Sequence, residues 1–154
     1  MRKLVLLDSG PLGMATHPQA KSPIHQECSQ WLNNLPLKGY IVGLPEIADY
    51  EVRRELIRAG KTQGIKRLDA LKSQLQSQKL YFPITTATML LAAQLWAQAR
   101  QAGTPTADPK ALDGDVILAA EAMLLASQSH QVIVASTNIS HLSQFVDARE
   151  WQTI

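Results

Sequence analysis

The sequence has a single cysteine, Cys28, and no long hydrophobic run. One cysteine excludes a disulfide within the chain, and with only four scattered histidines it argues against a structural zinc site. No apolar stretch approaches the roughly 20 residues needed to cross a bilayer. The opening segment MRKLVLLDSG differs from a secretory signal, because Asp8 interrupts its apolar part almost at once. We therefore expect a cytoplasmic protein without a membrane segment.

A strong charge excess is also missing. Fifteen Lys and Arg against thirteen Asp and Glu leave a net charge of +2 over 154 residues, which by itself does not indicate a nucleic-acid partner. The sequence contains no internal repeat and no linker rich in Pro, Gly or Ser that is long enough to divide it. Since 45% of its residues are hydrophobic, the chain is too apolar to be disordered. These features predict one domain over residues 1–154.

Short apolar runs alternate with segments of helical spacing, which is the pattern of a parallel α/β sheet. The predicted strands are 4–7, 40–42, 80–82 and 132–135, with a short fifth strand at 151–154. The predicted helices are 22–35, 46–59 with Gly60 as its stop, 65–75, 85–103 and 116–125. The predicted turns are Ser9-Gly10-Pro11 and Gly43-Leu44-Pro45, and residues 104–112 form a predicted loop.

Several polar residues follow predicted strands or open a predicted helix. Asp8 and Asn138 come after the first and fourth strands, and Asp113 and Asp115 begin a helix. Ligands of open parallel sheets bind outside the carboxyl ends of the strands. Carboxylates gathered there repel one another, so protons or hard cations such as Mg²⁺ or Mn²⁺ must neutralise them. Taken singly, each residue also fits an ordinary turn, helix cap or first helical turn.

The helix at 46–59 contains four acids, and periodicity does not choose among them. They are Glu46, Asp49, Glu51 and Glu55. The simplest interpretation is a set of surface ion pairs at helical spacing. The predicted pairs are Asp49 with Arg53, Glu51 with Arg54, and Glu55 with Arg58.

Taken together, these segments resemble a PIN-domain ribonuclease, in particular the small single-domain toxins of VapBC toxin–antitoxin pairs. LLDSGPL at 6–12 is similar to the family's LDT or LDS opening, and LPEIADYEV at 44–52 to its second acidic element. DGDVILAAEA at 113–122 resembles the family's DxDxxIAAxA helix, and VIVASTN at 132–138 resembles its strand ending in TxD or TxN. The resemblance spans almost the whole chain. It implies a three-layer α/β/α fold around a mostly parallel sheet of four or five strands.

The resemblance also implies a function and its residues. It implies an endoribonuclease that hydrolyses RNA phosphodiester bonds with Mg²⁺ or Mn²⁺, acting as a toxin with a small antitoxin partner and forming a homodimer. The implied catalytic residues and metal ligands are Asp8, Glu51 and Asp115, with Asp113 and Ser9 supporting them through hydrogen bonds. Asn138 falls on the fourth acidic position, where its amide offers only a neutral oxygen.

A basic segment follows the second acidic element. Residues 53–72 have an excess of five positive charges. A charge run of this kind is most simply a solvated helical face. The functional interpretation is an arm that contacts RNA phosphates, with Arg53, Arg54 and Arg58 as its best candidates, or an interface with an antitoxin or a second subunit.

Other functions remain open on the sequence alone. A catalytically silent PIN-fold binding module keeps the fold, and Asn138 favours it. A phosphotransferase of the haloacid-dehalogenase kind also begins with a strand that ends in Asp, but it usually needs a second Asp where this chain has Gly10. A receiver-type phosphoacceptor is disfavoured because no lysine follows the fourth strand.

Overall fold

The structure, a computed structural model, describes residues 2–17, 22–103, 109–128 and 130–154. In these ranges the chain forms five strands and six α-helices. The strands are β1 (Arg2–Leu7), β2 (Ile41–Pro45), β3 (Tyr81–Phe82), β4 (His130–Ser136) and β5 (Ala148–Glu150). The helices are α1 (Ser9–Ala15), α2 (Pro23–Asn34), α3 (Glu46–Arg58), α4 (Thr62–Ser77), α5 (Thr86–Gln101) and α6 (Pro109–Ser127).

The sheet is parallel throughout, with strand order β3-β2-β1-β4-β5. The central strand β1 pairs with β2 on one side and with β4 on the other, so that Leu6 lies between Gly43 and Val134. The strand order therefore reverses at β1, and the crevice outside its carboxyl end is where open α/β sheets bind ligands. This architecture confirms the predicted α/β fold.

The central strand is buried on both faces, as its continuous apolar run predicts. Leu4, Val5, Leu6 and Leu7 are each at most 2% exposed. Burying a leucine side chain fully contributes about 1.5–3 kcal/mol, so this short strand stabilises the fold strongly. Its carboxyl end is consequently fixed in place, and with it the residue that follows, Asp8.

The predicted turn at Ser9-Gly10-Pro11 is wrong, because these residues begin helix α1. Pro11 lies in the first helical turn, where a missing N–H breaks no helical hydrogen bond. A glycine is required at position 10 because the backbone there lies close to Thr137, and a Cβ would be 2.6 Å from Thr137 Oγ1. Helix α1 thus begins directly after Asp8.

The predicted turn at Gly43-Leu44-Pro45 is also wrong, since the three residues belong to β2. A glycine is required at position 43 of this strand, because a Cβ there would be 2.6 Å from Phe82 Cε2 on the neighbouring strand. Helix α3 follows immediately and ends at Arg58. Gly60, with φ +67°, provides the left-handed stop that the sequence predicts.

Helix α6 begins earlier than the sequence predicts. The loop prediction is wrong for residues 109–112, while residues 104–108 lie outside the described residues. Pro109 is the first helical residue, a position that favours proline. As a result, Asp113 does not cap the helix, and Asp115 lies in its second turn.

The predicted fifth strand is displaced along the chain. Residues Trp151–Thr153 form a 3₁₀ helix, and the fifth strand is Ala148–Glu150. This edge strand has no apolar run that could predict it, since Ala148 is the only buried residue of its three. Trp151 instead packs edge-on against Trp31, with ring centroids 5.5 Å apart.

Among the described residues, no helix combines the length and the apolar character that a membrane span requires.

Candidate functional site

Asp8 occupies the carboxyl end of the central strand and caps helix α1. Its Oδ1 accepts a hydrogen bond from the Ser9 backbone N–H, and its Oδ2 accepts one from the Ser136 hydroxyl, both at 2.7 Å. Burial raises the pKa of Asp8, and these hydrogen bonds oppose the rise because they favour the charged form. Two donors from different strand ends therefore orient both carboxylate oxygens.

Glu51 reaches this edge of the sheet from helix α3. Its Oε2 lies 2.9 Å from the position that a Cβ on Gly114 would occupy. The carboxylate therefore lies against the backbone of helix α6, next to Asp115. Only a residue without a side chain at position 114 permits this contact.

The carboxylates of Asp8, Glu51 and Asp115 interact electrostatically. Burial and the negative charge of Asp8, with a smaller contribution from Asp115, raise the pKa of Glu51 to about 7, and the positive charge of Arg54 opposes this rise. Burial and the charge of Asp8 raise the pKa of Asp115 to about 6. Three distant parts of the chain thus bring like charges together in a partly desolvated crevice.

The three carboxylates do not form a closed cage as they stand. Among the described residues, no three Asp, Glu, His or Cys side chains are grouped so that they could hold a metal ion. The donor chemistry, three carboxylates facing one crevice, nevertheless suits a hard divalent cation such as Mg²⁺ or Mn²⁺. To share an ion, the side chains would have to rotate from their present positions.

The clustered charges predict that Asp115→Asn stabilises the metal-free protein. The pKa of Asp115 rises from 3.8 to about 6 on folding, so the folded state favours the protonated carboxyl. The stability that this group contributes is therefore complete below pH 4 and is lost as the pH rises through 6. At pH 8 and in EDTA, we expect the variant to be more stable by on the order of 2 kcal/mol, or roughly 4–8 °C in Tm. At pH 4 the difference should nearly vanish.

Thermal melts of wild type and Asp115→Asn across this pH range measure the effect. Asp113→Asn is a matched control, because Asp113 lies two residues earlier in the same helix and is exposed. A lower Tm for Asp115→Asn at pH 8 would show that Asp115 stabilises the fold and is not strained by its neighbours.

Within the described residues, the side chains of two predicted supporting residues make no hydrogen bond to the three carboxylates. Asn138 Oδ1 accepts hydrogen bonds from the Ser140 N–H and hydroxyl in a local turn, at 3.2 and 2.8 Å. Asp113 is exposed on helix α6. The third, Ser9, contacts Asp8 directly through its backbone N–H.

Comparisons with family models and with curated proteins give no match. Solved structures do match over nearly the full chain. VapBC2 from Rickettsia felis, bound to a DNA fragment from its promoter, has a chain that aligns with a TM-score of 0.68 and 16% identity, covering 96% of this chain and 98% of that one. FitAcB from Neisseria gonorrhoeae aligns with a TM-score of 0.64 and 19% identity, covering 97% and 99%. DNA-bound VapBC from Salmonella typhimurium aligns with a TM-score of 0.60 and 18% identity, covering 98% and 99%.

The chain has a PIN-like fold. At these identities the likeness shows the fold alone, and any chemistry has to be inferred from the residues of the site. In this PIN-like fold the three carboxylates lie at the point where the strand order reverses.

Sequence reasoning missed Ser136 as a residue of the site. Its side chain is fully buried, its hydroxyl contacts Asp8, and its Oγ accepts a hydrogen bond from the Asn138 N–H at 3.0 Å. The signal lies in the strand register, because Leu7 pairs with Ala135 and the next residues along the two strands are Asp8 and Ser136. Asn138 thus supports the site through its backbone.

A groove of about 460 Å³ runs from Glu51 along helices α1 and α3. Ser9 and Glu51 line one part of it, and Val52 and Leu56 are among its apolar residues. Its basic residues are Arg54, Arg58 and Lys61. Two acids, Glu51 and Glu55, also line the groove, so its Arg and Lys residues exceed its acids by one.

The predicted ion pairs of helix α3 are all present. Arg53 contacts Asp49 at 3.0 Å, Arg54 is 3.9 Å from Glu51, and Arg58 contacts Glu55 at 2.8 Å. Arg53 also contacts Asp69 of helix α4 at 2.7 Å. This double contact ties α3 to α4, so Arg53 serves the packing of the two helices.

Proposed function

We propose that this PIN-like chain is a metal-dependent endoribonuclease that hydrolyses RNA phosphodiester bonds. The observation that supports this most directly is the electrostatic coupling of Asp8, Glu51 and Asp115 at the carboxyl end of the central strand. Clustered like charges raise the free energy of the metal-free state, and a function that requires a cation explains why the fold retains them.

The proposed roles follow from the positions of the side chains. Asp8, Glu51 and Asp115 would hold Mg²⁺ or Mn²⁺, while Ser9 and Ser136 orient Asp8. When bound, the ion would supply activation of a water nucleophile and neutralisation of charge on the phosphate. Asp113 and Asn138 take no direct part in this proposal.

RNA would approach through the groove that begins at Glu51. Arg54, Arg58 and Lys61 line it beside Glu51, so they can contact backbone phosphates that flank the scissile bond. Arg53 is not proposed as an RNA ligand, because it does not line this groove and its guanidinium ties α3 to α4 through Asp49 and Asp69.

Cleavage of single-stranded RNA tests the proposal. Wild type should cleave with Mg²⁺ or Mn²⁺ and stop in EDTA, and Asp8→Asn should remain inactive with either ion. Cleavage that persists in EDTA or in Asp8→Asn would contradict it. Binding of RNA without any cleavage would instead support a catalytically silent PIN-fold binding module.

The silent module has two observations in its favour. The described acids are not grouped to hold an ion as they stand, and the amide oxygen of Asn138 is engaged in its own turn. The nuclease is the stronger proposal, because a module that binds no ion would have no use for three mutually repelling carboxylates.

We further propose that the chain is the toxin of a toxin–antitoxin pair that acts in the cytoplasm. The structural neighbours are chains of VapBC and FitAB complexes, several of them bound to DNA. A small antitoxin partner fits this likeness. A short open reading frame immediately upstream, encoding a small DNA-binding protein, would support the assignment.

The proposed homodimer has a candidate surface on helix α5. One face of the helix packs on α6 through Ala92, Leu95 and Ala99, while Met89, Leu90 and Trp96 are 48%, 64% and 36% exposed. The helix has a single charged residue, Arg100. Such an apolar outer face is characteristic of a helix that packs against a partner on both sides.

Leu90→Glu is therefore expected to convert a dimer into a monomer, because a charge would be buried in the interface. Light scattering coupled to size-exclusion chromatography measures the change. Lys66→Glu on the exposed face of α4 is the control and should leave the mass unchanged. A wild type that is already monomeric would contradict the dimer.

A further inference from the structure

Glu51 has a cationic side chain beside it on the same helix. Its Oε2 lies 3.9 Å from Arg54 Nη2, one helical turn further along α3. The Arg54 guanidinium also lies over the Tyr50 ring, 5.1 Å from the ring centroid. The Arg54 side chain is thus positioned by two neighbours on the same helix, although it is 53% exposed.

The same carboxylate oxygen faces Arg54 on one side and the backbone at Gly114 on the other. In this position Glu51 does not join Asp8 and Asp115 in a group that could hold an ion. We propose that Arg54 is a positioning residue that competes with the divalent cation for Glu51. The inference rests on the proposed function, in which Glu51 is a metal ligand.

Arg54 differs in this respect from its neighbours on the helix. Arg53 is held by Asp49 and Asp69, and Arg58 by Glu55. Of these three arginines, Arg54 is the one whose acidic partner is a candidate metal ligand. An exposed ion pair at this distance is weak, so a divalent cation can displace it.

Displacement of Arg54 has a consequence for RNA. The side chain lines the groove that leads away from Glu51. Once the cation takes its place beside the carboxylate, the guanidinium is available to a phosphate in that groove. Cation binding and RNA binding are therefore linked through one residue.

Mn²⁺ binding to the full chain tests this inference without any measurement of cleavage. Electron paramagnetic resonance of free Mn²⁺ gives the Kd of wild type, Arg54→Gln, Arg54→Lys and Arg58→Gln. Arg54→Gln should bind Mn²⁺ about threefold more tightly, which is the size expected for loss of an exposed ion pair. Arg54→Lys keeps a cation and should stay close to wild type.

Arg58→Gln removes the same charge from the same helix and should change the Kd less than Arg54→Gln does. Equal Kd values for Arg54→Gln and Arg58→Gln would overturn the inference while leaving the nuclease proposal intact. A wild type that binds no Mn²⁺ would overturn both.

Discussion

Asp8→Asn is expected to lower metal-dependent RNA cleavage by at least about a hundredfold. Even removal of a group that hydrogen-bonds to a metal ligand costs about 10–100-fold, and Asp8 is proposed as a ligand itself. The substitution replaces a carboxylate by an amide of the same shape at the end of β1. The charge is lost while the packing around it remains.

Folding should survive this substitution. The amide oxygen of the variant can still accept the Ser9 N–H, and the Ser136 hydroxyl can accept from the new amide N–H while donating to the Asn138 carbonyl, which lies 3.1 Å away. We therefore expect a Tm no lower than that of wild type in EDTA. Asp147→Asn, at an exposed acid, is the control for the assay. Activity of Asp8→Asn near the wild-type value would remove Asp8 from the mechanism.

Gly114→Ala is expected to raise the stability of the fold while lowering the rate of RNA cleavage. Alanine in the interior of a helix is more favourable than glycine by roughly 0.5–1 kcal/mol. The new Cβ would lie 2.9 Å from Glu51 Oε2, and the flexible end of Glu51 can move aside at little cost to the fold. The carboxylate would then lie further from Asp115, so we expect about a tenfold loss of cleavage, similar to other losses of metal-ligand positioning.

Denaturant melts and cleavage rates measure the two effects on the same samples. A double-mutant cycle with Glu51→Ala provides the control, because without the carboxylate the new methyl group has nothing to displace. In that background Gly114→Ala should give the full gain in unfolding free energy. Unchanged cleavage by Gly114→Ala alone would show that the contact between Glu51 and residue 114 has no role in catalysis.

Local patterns were sufficient to predict most of the fold. The apolar run before Asp8 predicts β1, and Gly60 marks the end of α3. The errors at residues 9–11, 43–45 and 109–112 share one physical cause, since Pro and Gly were interpreted as turn residues. Pro11 and Pro109 instead lie where a helix tolerates a missing N–H, and Gly43 is imposed by a side chain of a neighbouring strand. The displaced fifth strand has a different cause, because β5 lacks an apolar run.

The candidate site was only partly predictable, because its contacts join distant positions. Asp8 follows from its place after a strand, whereas Ser136 lies 128 residues away and meets it only through the register of β1 and β4. The second contact of Arg53 could not be predicted for a similar reason. Its second partner, Asp69, belongs to a helix whose packing no local pattern reveals.

The central position of β1 has a consequence for protein synthesis. This strand is synthesised before both of its neighbours in the sheet, which begin at residue 41 (β2) and residue 130 (β4). The nascent chain cannot complete the crevice until β4 has left the exit tunnel and paired with β1. The hydrogen bond from Ser136 to Asp8 therefore forms only after the 128 positions that separate these two residues have been translated.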